Sequence, residues 1–146
     1  MRDAPLTADL IATAREALKA EILPGLSGDA AYAGAMIANA LGIALRDLEA
    51  DGAAEIAERA ALQSLLETDG EDLAALNAIF SAALRSGAFD PGREGHEAAQ
   101  RILWAQTLVR LERVNPRKLE AERAAGRVPE KAGFGRDVPW RDGAYR

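Results

Sequence analysis

The stretch from Asp29 to Glu49, DAAYAGAMIANALGIALRDLE, leaves this chain little choice but a long helix. It has no proline, it is rich in alanine, and its apolar side chains recur at helical spacing along its whole length. Tyr32, Met36, Asn39, Ile43 and Arg46 step by four, three, four and three, so they share one stripe, with Ile37, Leu41, Leu45 and Leu48 on its flank. That surface suits a central helix, and it carries two polar exceptions. An amide buried without partners costs roughly 1–3 kcal/mol, and an unpaired guanidinium costs more. Asn39 and Arg46 are therefore expected either to find partners or to line a pocket with Tyr32 and Met36 at its edge. Gly34 and Gly42 add a second constraint. Glycine inside a helix costs roughly 0.5–1 kcal/mol relative to alanine, so another helix is expected to cross closely near Ala30, Gly34 and Ala38.

The 146 residues are the size of one domain, and alanine dominates them while aromatic residues make up only 5%. Small side chains in helices favour close helix packing, and no segment reads as a strand. The chain has no cysteine, which excludes disulfides, thiolate metal sites and cysteine nucleophiles. The opening residues lack the basic start and apolar run of a signal peptide, and no uninterrupted apolar run approaches the length of a membrane span. A cytoplasmic location is the expectation. The net charge of −5 is unevenly spread, with an acidic body and a basic stretch after Pro116. An acidic body speaks against nucleic acid as the main partner, because phosphate contacts need clustered positive charge.

Taken in order, the pattern predicts five helices. Thr7 caps the first, Asp9 sits in its first turn, Leu10, Ile11, Ala14, Leu18 and Ile22 form its buried face, and Pro24-Gly25 ends it. Ser27 or Asp29 caps the second. The third runs from about Ala53 to Glu67 and buries Ile56, Ala60, Leu62, Leu65 and Leu66. LEADG at 48–52 and LETDG at 66–70 look alike, and glycine caps at two helix ends explain the likeness. Asp69 or Asp72 opens the fourth helix, with Leu73, Leu76, Ile79, Phe80, Ala83 and Leu84 inward and Gly87 as its stop. Asn77 and Arg85 are its polar exceptions. A turn at Phe89-Asp90-Pro91-Gly92 leads to the fifth helix, from about Glu97 to Val114, with Ile102, Leu103, Leu108, Val109 and Leu111 inward. Asn115-Pro116 ends it.

The fold expected is an all-α, five-helix antiparallel bundle over residues 1–119, with residues 120–146 as an irregular tail or extended C-terminal arm. A short helix through Ala125 opens that segment. Phe134, Trp140 and Tyr145 are spaced along it as anchors, on the bundle or on a second subunit, which would make a homo-oligomer through the tail.

Few residues suggest chemistry. His96 is the only histidine, and neither Glu94 nor Glu97 has the spacing of a helical metal site, so it reads as a solvated loop residue. No serine sits in a nucleophile elbow, and the Gly-x-Gly at 133–135 lacks a following helix to hold phosphate. Glu55, Glu58, Glu67 and Asp69 read as a solvated acidic face. No catalytic residue, metal or cofactor is expected, and no membrane or nucleic acid as partner.

Three patterns, IANALGIALRDLE at 37–49, DLAALNAIFSAALRSGAFD at 72–90 and VNPRKL at 114–119, together resemble a bacterial helical domain family of unknown function found beside or fused to aminoglycoside-phosphotransferase-like kinases, often near acyl-CoA dehydrogenases. The resemblance covers about Leu6 to Leu119 and rests on Asn39, Arg46, Leu76-Asn77, Arg85-x-Gly87 and Asn115-Pro116 in that order. It implies an accessory or interaction module partnering a phosphotransferase-like small-molecule kinase, with Asn39, Arg46, Asn77, Arg85 and Asn115 as its polar cluster. The alternative is a ligand-binding or enzymatic protein of acyl-CoA or hydroxy-acid catabolism, with Arg46 and Arg85 holding an anion.

Overall fold

A computed structural model describes residues 5–128 and 133–134. Among them every regular element is helical, and there are six α-helices rather than the five expected: α1 (Thr7–Ala17), α2 (Gly28–Glu49), α3 (Ala53–Leu66), α4 (Leu73–Arg85), α5 (His96–Val114) and α6 (Pro116–Ala124). The sixth arises because Asn115 ends one helix and caps the next. Its side chain accepts the Lys118 backbone N–H at 3.1 Å, and Pro116 takes the first helical position, where a missing N–H costs nothing. α6 runs across position 119, where the sequence placed the end of the body.

The chain divides into two compact units, residues 1–50 and 51–146. In the first, α1 starts after Leu6, whose backbone N–H donates to Asp9 at 2.9 Å, so Asp9 supplies one half of a capping box. A π-helical turn (Leu18–Ile22) and a 3-10 turn (Leu23–Gly25) carry the chain to α2. α1 and α2 pack together through the smallest residues of α2: Gly34, Ala38 and Gly42 are its buried positions. A Cβ on Gly34 would stand 2.7 Å from Leu23 Cδ2, and one on Gly42 would stand 3.0 Å from Arg15 Nε. The close approach predicted near Ala30, Gly34 and Ala38 is present at Gly34 and Ala38, but Gly34 meets Leu23 and Leu26 at the turn, and the α1 contact falls at Ala38 and Gly42 while Ala30 is exposed. Arg15 crosses at that point and donates Nε–H to the Ala38 carbonyl at 3.0 Å.

Most of the inward stripe predicted for the same helix lies outside, with only Ile43, Arg46, Leu41 and Leu45 half-buried. Tyr32 is 71% exposed, Met36 is 49% exposed, and Ile37, Asn39 and Leu48 are exposed as well. An α2 that is apolar on every side has two candidate inward faces, and the glycine face lies inward because it leaves room for Leu23, Leu26 and Arg15 to lie against the helix.

The second unit holds the large apolar core. Leu62, Leu76, Phe80, Ala99 and Ile102 are buried together, with Ala61, Leu65, Leu66, Leu73, Leu84, Phe89 and Phe134 packed around them. α3 packs on both α4 and α5, and α5 packs on α6, where Leu119 is buried. Ile56, Ala60, Ile79 and Leu103, all expected inside, are exposed. Asp72 caps α4 by accepting the Ala74 N–H at 3.1 Å. The shared glycine cap inferred for LEADG and LETDG is not what forms. Gly52 takes positive φ at the start of α3, whereas Glu67, not Gly70, adopts the left-handed conformation that ends it. Thr68 N–H then reaches the Gln63 carbonyl, as in a Schellman end. Gly87 does fill its expected role at the end of α4, with φ +76° and the paired bonds Ala88 N–H to Ala83 and Gly87 N–H to Leu84.

Candidate functional site

The densest polar arrangement among the described residues joins α3, α4 and α5. Glu58 Oε1 accepts from Asn77 Nδ2 at 2.9 Å and from Gln106 Nε2 at 2.8 Å. Gln106 Nε2 also donates to Asn77 Oδ1 at 2.8 Å, and Asn77 Nδ2 donates to the Leu73 carbonyl at 3.0 Å. Each amide nitrogen has two hydrogens and each uses both. Gln106 is only 8% exposed, so its bonds replace water rather than compete with it.

One turn earlier on α3 and two turns later on α5, Glu55 and Arg113 form an ion pair through Glu55 Oε1 and Arg113 Nη2. That ordering makes α3 and α5 antiparallel at this contact. The hydrogen bond from Arg113 is the main reason the Glu55 carboxyl is held below the usual carboxylate range. Its other oxygen, Oε2, and the neighbouring Arg59 Nε are buried without a hydrogen-bond partner among the described residues.

At the end of α6, Glu122 is covered by two cations rather than by core. Arg127 binds both its oxygens, and Lys118 lies 2.5 Å from Oε1. The Arg127 hydrogen bonds, then that of Lys118, push its pKa down to about 2.

The residues singled out in the sequence are distributed as follows. Asn77 is at the centre of the α3–α4–α5 network. Arg85, on the same helix, is exposed, and Asn115 is exposed and spent on capping α6. Asn39 is exposed on α2, so the desolvation argument that gave it a partner does not apply. Arg46 is half-buried and has a partner. Among the described residues no hydrogen bond or ion pair joins Asn77, Arg85 and Asn115 to one another. Phe134 packs against the core, while Trp140 and Tyr145 lie outside the described residues.

Sequence reasoning missed Gln106, and it read Glu55 and Glu58 as a solvated face. A usable signal existed: Gln106 falls between Ala105 and Leu108 on the inward side of α5, where an amide demands partners. His96 is the first residue of α5 rather than a solvated loop residue. Its Nδ1 lies 2.7 Å from the Phe89 carbonyl, which can only accept, so Nδ1 carries the proton and ties down the 89–95 loop. Among the described residues, no three of His, Asp and Glu converge as a metal site requires.

α2 is long and apolar enough to cross a membrane by length and composition alone. Its charges sit at its ends, Asn39 interrupts its middle, and its apolar character includes the Gly34, Ala38 and Gly42 face that packs on α1.

Comparison with curated proteins and with solved structures finds no match. A protein-family model, described as a domain of unknown function, DUF6285, matches residues 24–118. The match begins after α1, later than the Leu6 expected from the resemblance, and takes in α2 to α5 with the opening of α6. The chain belongs to the DUF6285 family.

Proposed function

We propose that this chain is a non-catalytic helical interaction module. The observation that carries the reading is the closure of the Glu58–Asn77–Gln106 network: the groups that could hold a substrate on α3, α4 and α5 hold one another instead. A binding site keeps polar groups pointed at an opening, whereas this set spends its amide hydrogens internally and leaves an interior that specifies helix register. Arg85, one of the two residues an anion-binding enzyme would use, is exposed.

The partner proposed is a phosphotransferase-like small-molecule kinase, and the resemblance of the three sequence patterns is what supports it. The test is native mass spectrometry of the full chain mixed with such a kinase encoded beside it. A complex of fixed stoichiometry supports the module. No complex at concentrations well above those in the cell removes the kinase, and a small molecule retained by the chain alone returns the case to a binding pocket.

A further inference from the structure

The exposed stripe on α2 is ordered in a way that says what covers it. Asp29, Tyr32, Met36, Asn39, Ile43 and Arg46 are spaced three, four, three, four, three, which is the a/d seam of a coiled coil and reads the same from either end. Tyr32, Met36 and Asn39 are exposed, while Ile43 and Arg46 are half-buried. The flanking Ala33, Ala35 and Ala40 are also exposed, and their small side chains allow a second helix to approach closely.

We infer that this seam pairs with the same seam of a second copy of the chain, the two α2 helices running antiparallel about a two-fold axis between positions 37 and 38. That register sets Asp29 against Arg46 of the partner subunit at both ends, Tyr32 against the partner's Ile43, and Met36 against the partner's Asn39. A parallel pairing would instead face Asp29 with Asp29 and Arg46 with Arg46, so the charges choose the orientation. At a rise of 1.5 Å per residue the two Asn39 side chains fall about 4.5 Å apart along the axis, within reach of each other, and a polar residue in an apolar seam is a known device for fixing register. Arg46 need not give up its existing contact, because a guanidinium has five N–H donors. The hydrocarbon of a lipid layer offers the Asn39 amide no matching group.

The inference is independent of the kinase, since it concerns the chain alone. Sedimentation equilibrium of the full chain should show its 15.5 kDa mass doubling as concentration rises. Asp29→Arg should raise the dimer dissociation constant about tenfold, because symmetry turns two attractive contacts into two repulsive ones. The double swap Asp29→Arg with Arg46→Asp should bring it back to within about threefold of the original; the two positions lie about 25 Å apart on one helix, so the rescue can act only between chains. If the swap disturbs folding, the absence of native cysteine offers a second route. Tyr32→Cys mixed with Ile43→Cys should cross-link on oxidation, and Tyr32→Cys alone should not. A chain that stays monomeric, a dimer indifferent to Asp29→Arg, a 32–32 cross-link, a dimer lost on deleting residues 135–146, or a monomer that binds phosphatidylcholine vesicles each overturns the inference.

Discussion

The two compact units are built from helices of similar composition and yet are held together by different means. In α1 and α2 nothing larger than alanine is buried, and Gly34, Ala38 and Gly42 make room for the side chains of Leu23, Leu26 and Arg15. From α3 to α6 the buried set includes Phe80, Leu62, Leu76 and Leu119, each under 2% or at 2% exposure, and a closed polar network besides. Burial of a large apolar side chain contributes about 1.5–3 kcal/mol relative to exposure, so the second unit carries most of the hydrophobic stabilisation. The first leaves Tyr32, Met36, Ile37 and Leu48 exposed and, among the described residues, buries its other large side chains at most in part. A helix that is apolar all round and covered on one side has an unmet demand for a partner; α4, the apolar helix of the second unit, is shorter and buries Leu76 and Phe80.

The largest effect should separate the units most plainly. Phe80→Ala removes a buried ring that lies 6.0 Å from that of Phe89, and should cost about 3–5 kcal/mol by urea denaturation. Tyr32→Ala, equally aromatic in sequence, should change the stability of the dilute monomer by about 0.5 kcal/mol or less. Equal costs would break the comparison.

Next in size, Glu58→Leu should destabilise by about 1–3 kcal/mol by leaving hydrogens of Asn77 and Gln106 unpaired. Replacing Glu58, Asn77 and Gln106 together by Leu should recover most of that loss. A full loss that persists in the triple variant would mean that the network contributes more than its own satisfaction. In the first unit, Gly34→Val should cost about 1–2 kcal/mol by pushing Leu23 and Leu26 aside, whereas Ala35→Val, one residue along and exposed, should fall within about 0.5 kcal/mol.

The smallest effect is a pH dependence. Glu122 has a folded pKa of about 2 against an ordinary 4.5, so its contribution is present in full above about 4.5 and is lost as pH falls toward 2. Glu55, lowered by Arg113, acts in the same direction. Glu122→Gln should flatten the part of the acid titration that reports α6, followed through the Leu119 resonances by NMR.

Much of the fold is written in local signals. Caps and stops such as Asp72, Gly87 and Asn115-Pro116 depend on their own backbone and a few neighbours, and they set α4, α5 and α6 close to where the sequence placed them. The short helix expected through Ala125 is α6, Pro116–Ala124, and Asn115 both ends α5 and caps it. The Gly34 and Ala38 crossing was legible for a similar reason: a glycine in a helix is costly unless something approaches it. The inward face of α2 was not legible. Period gives the angle between two stripes and says nothing about which one meets a neighbour, and the larger residues looked more like core than the smaller ones did. The same ambiguity hid the network. Glu58 reads as surface from its charge, and Asn77 and Gln106, arriving from other helices, satisfy it in its half-buried position.

The measurement that bears most directly on the contrast between the units is amide hydrogen exchange followed by mass spectrometry over a range of protein concentrations. α2 should exchange much faster than α4 in dilute solution, and protection of α2 alone should rise as the protein is concentrated. An α2 as protected as α4 at every concentration would contradict that contrast, since the helix would then need no second copy to be stable.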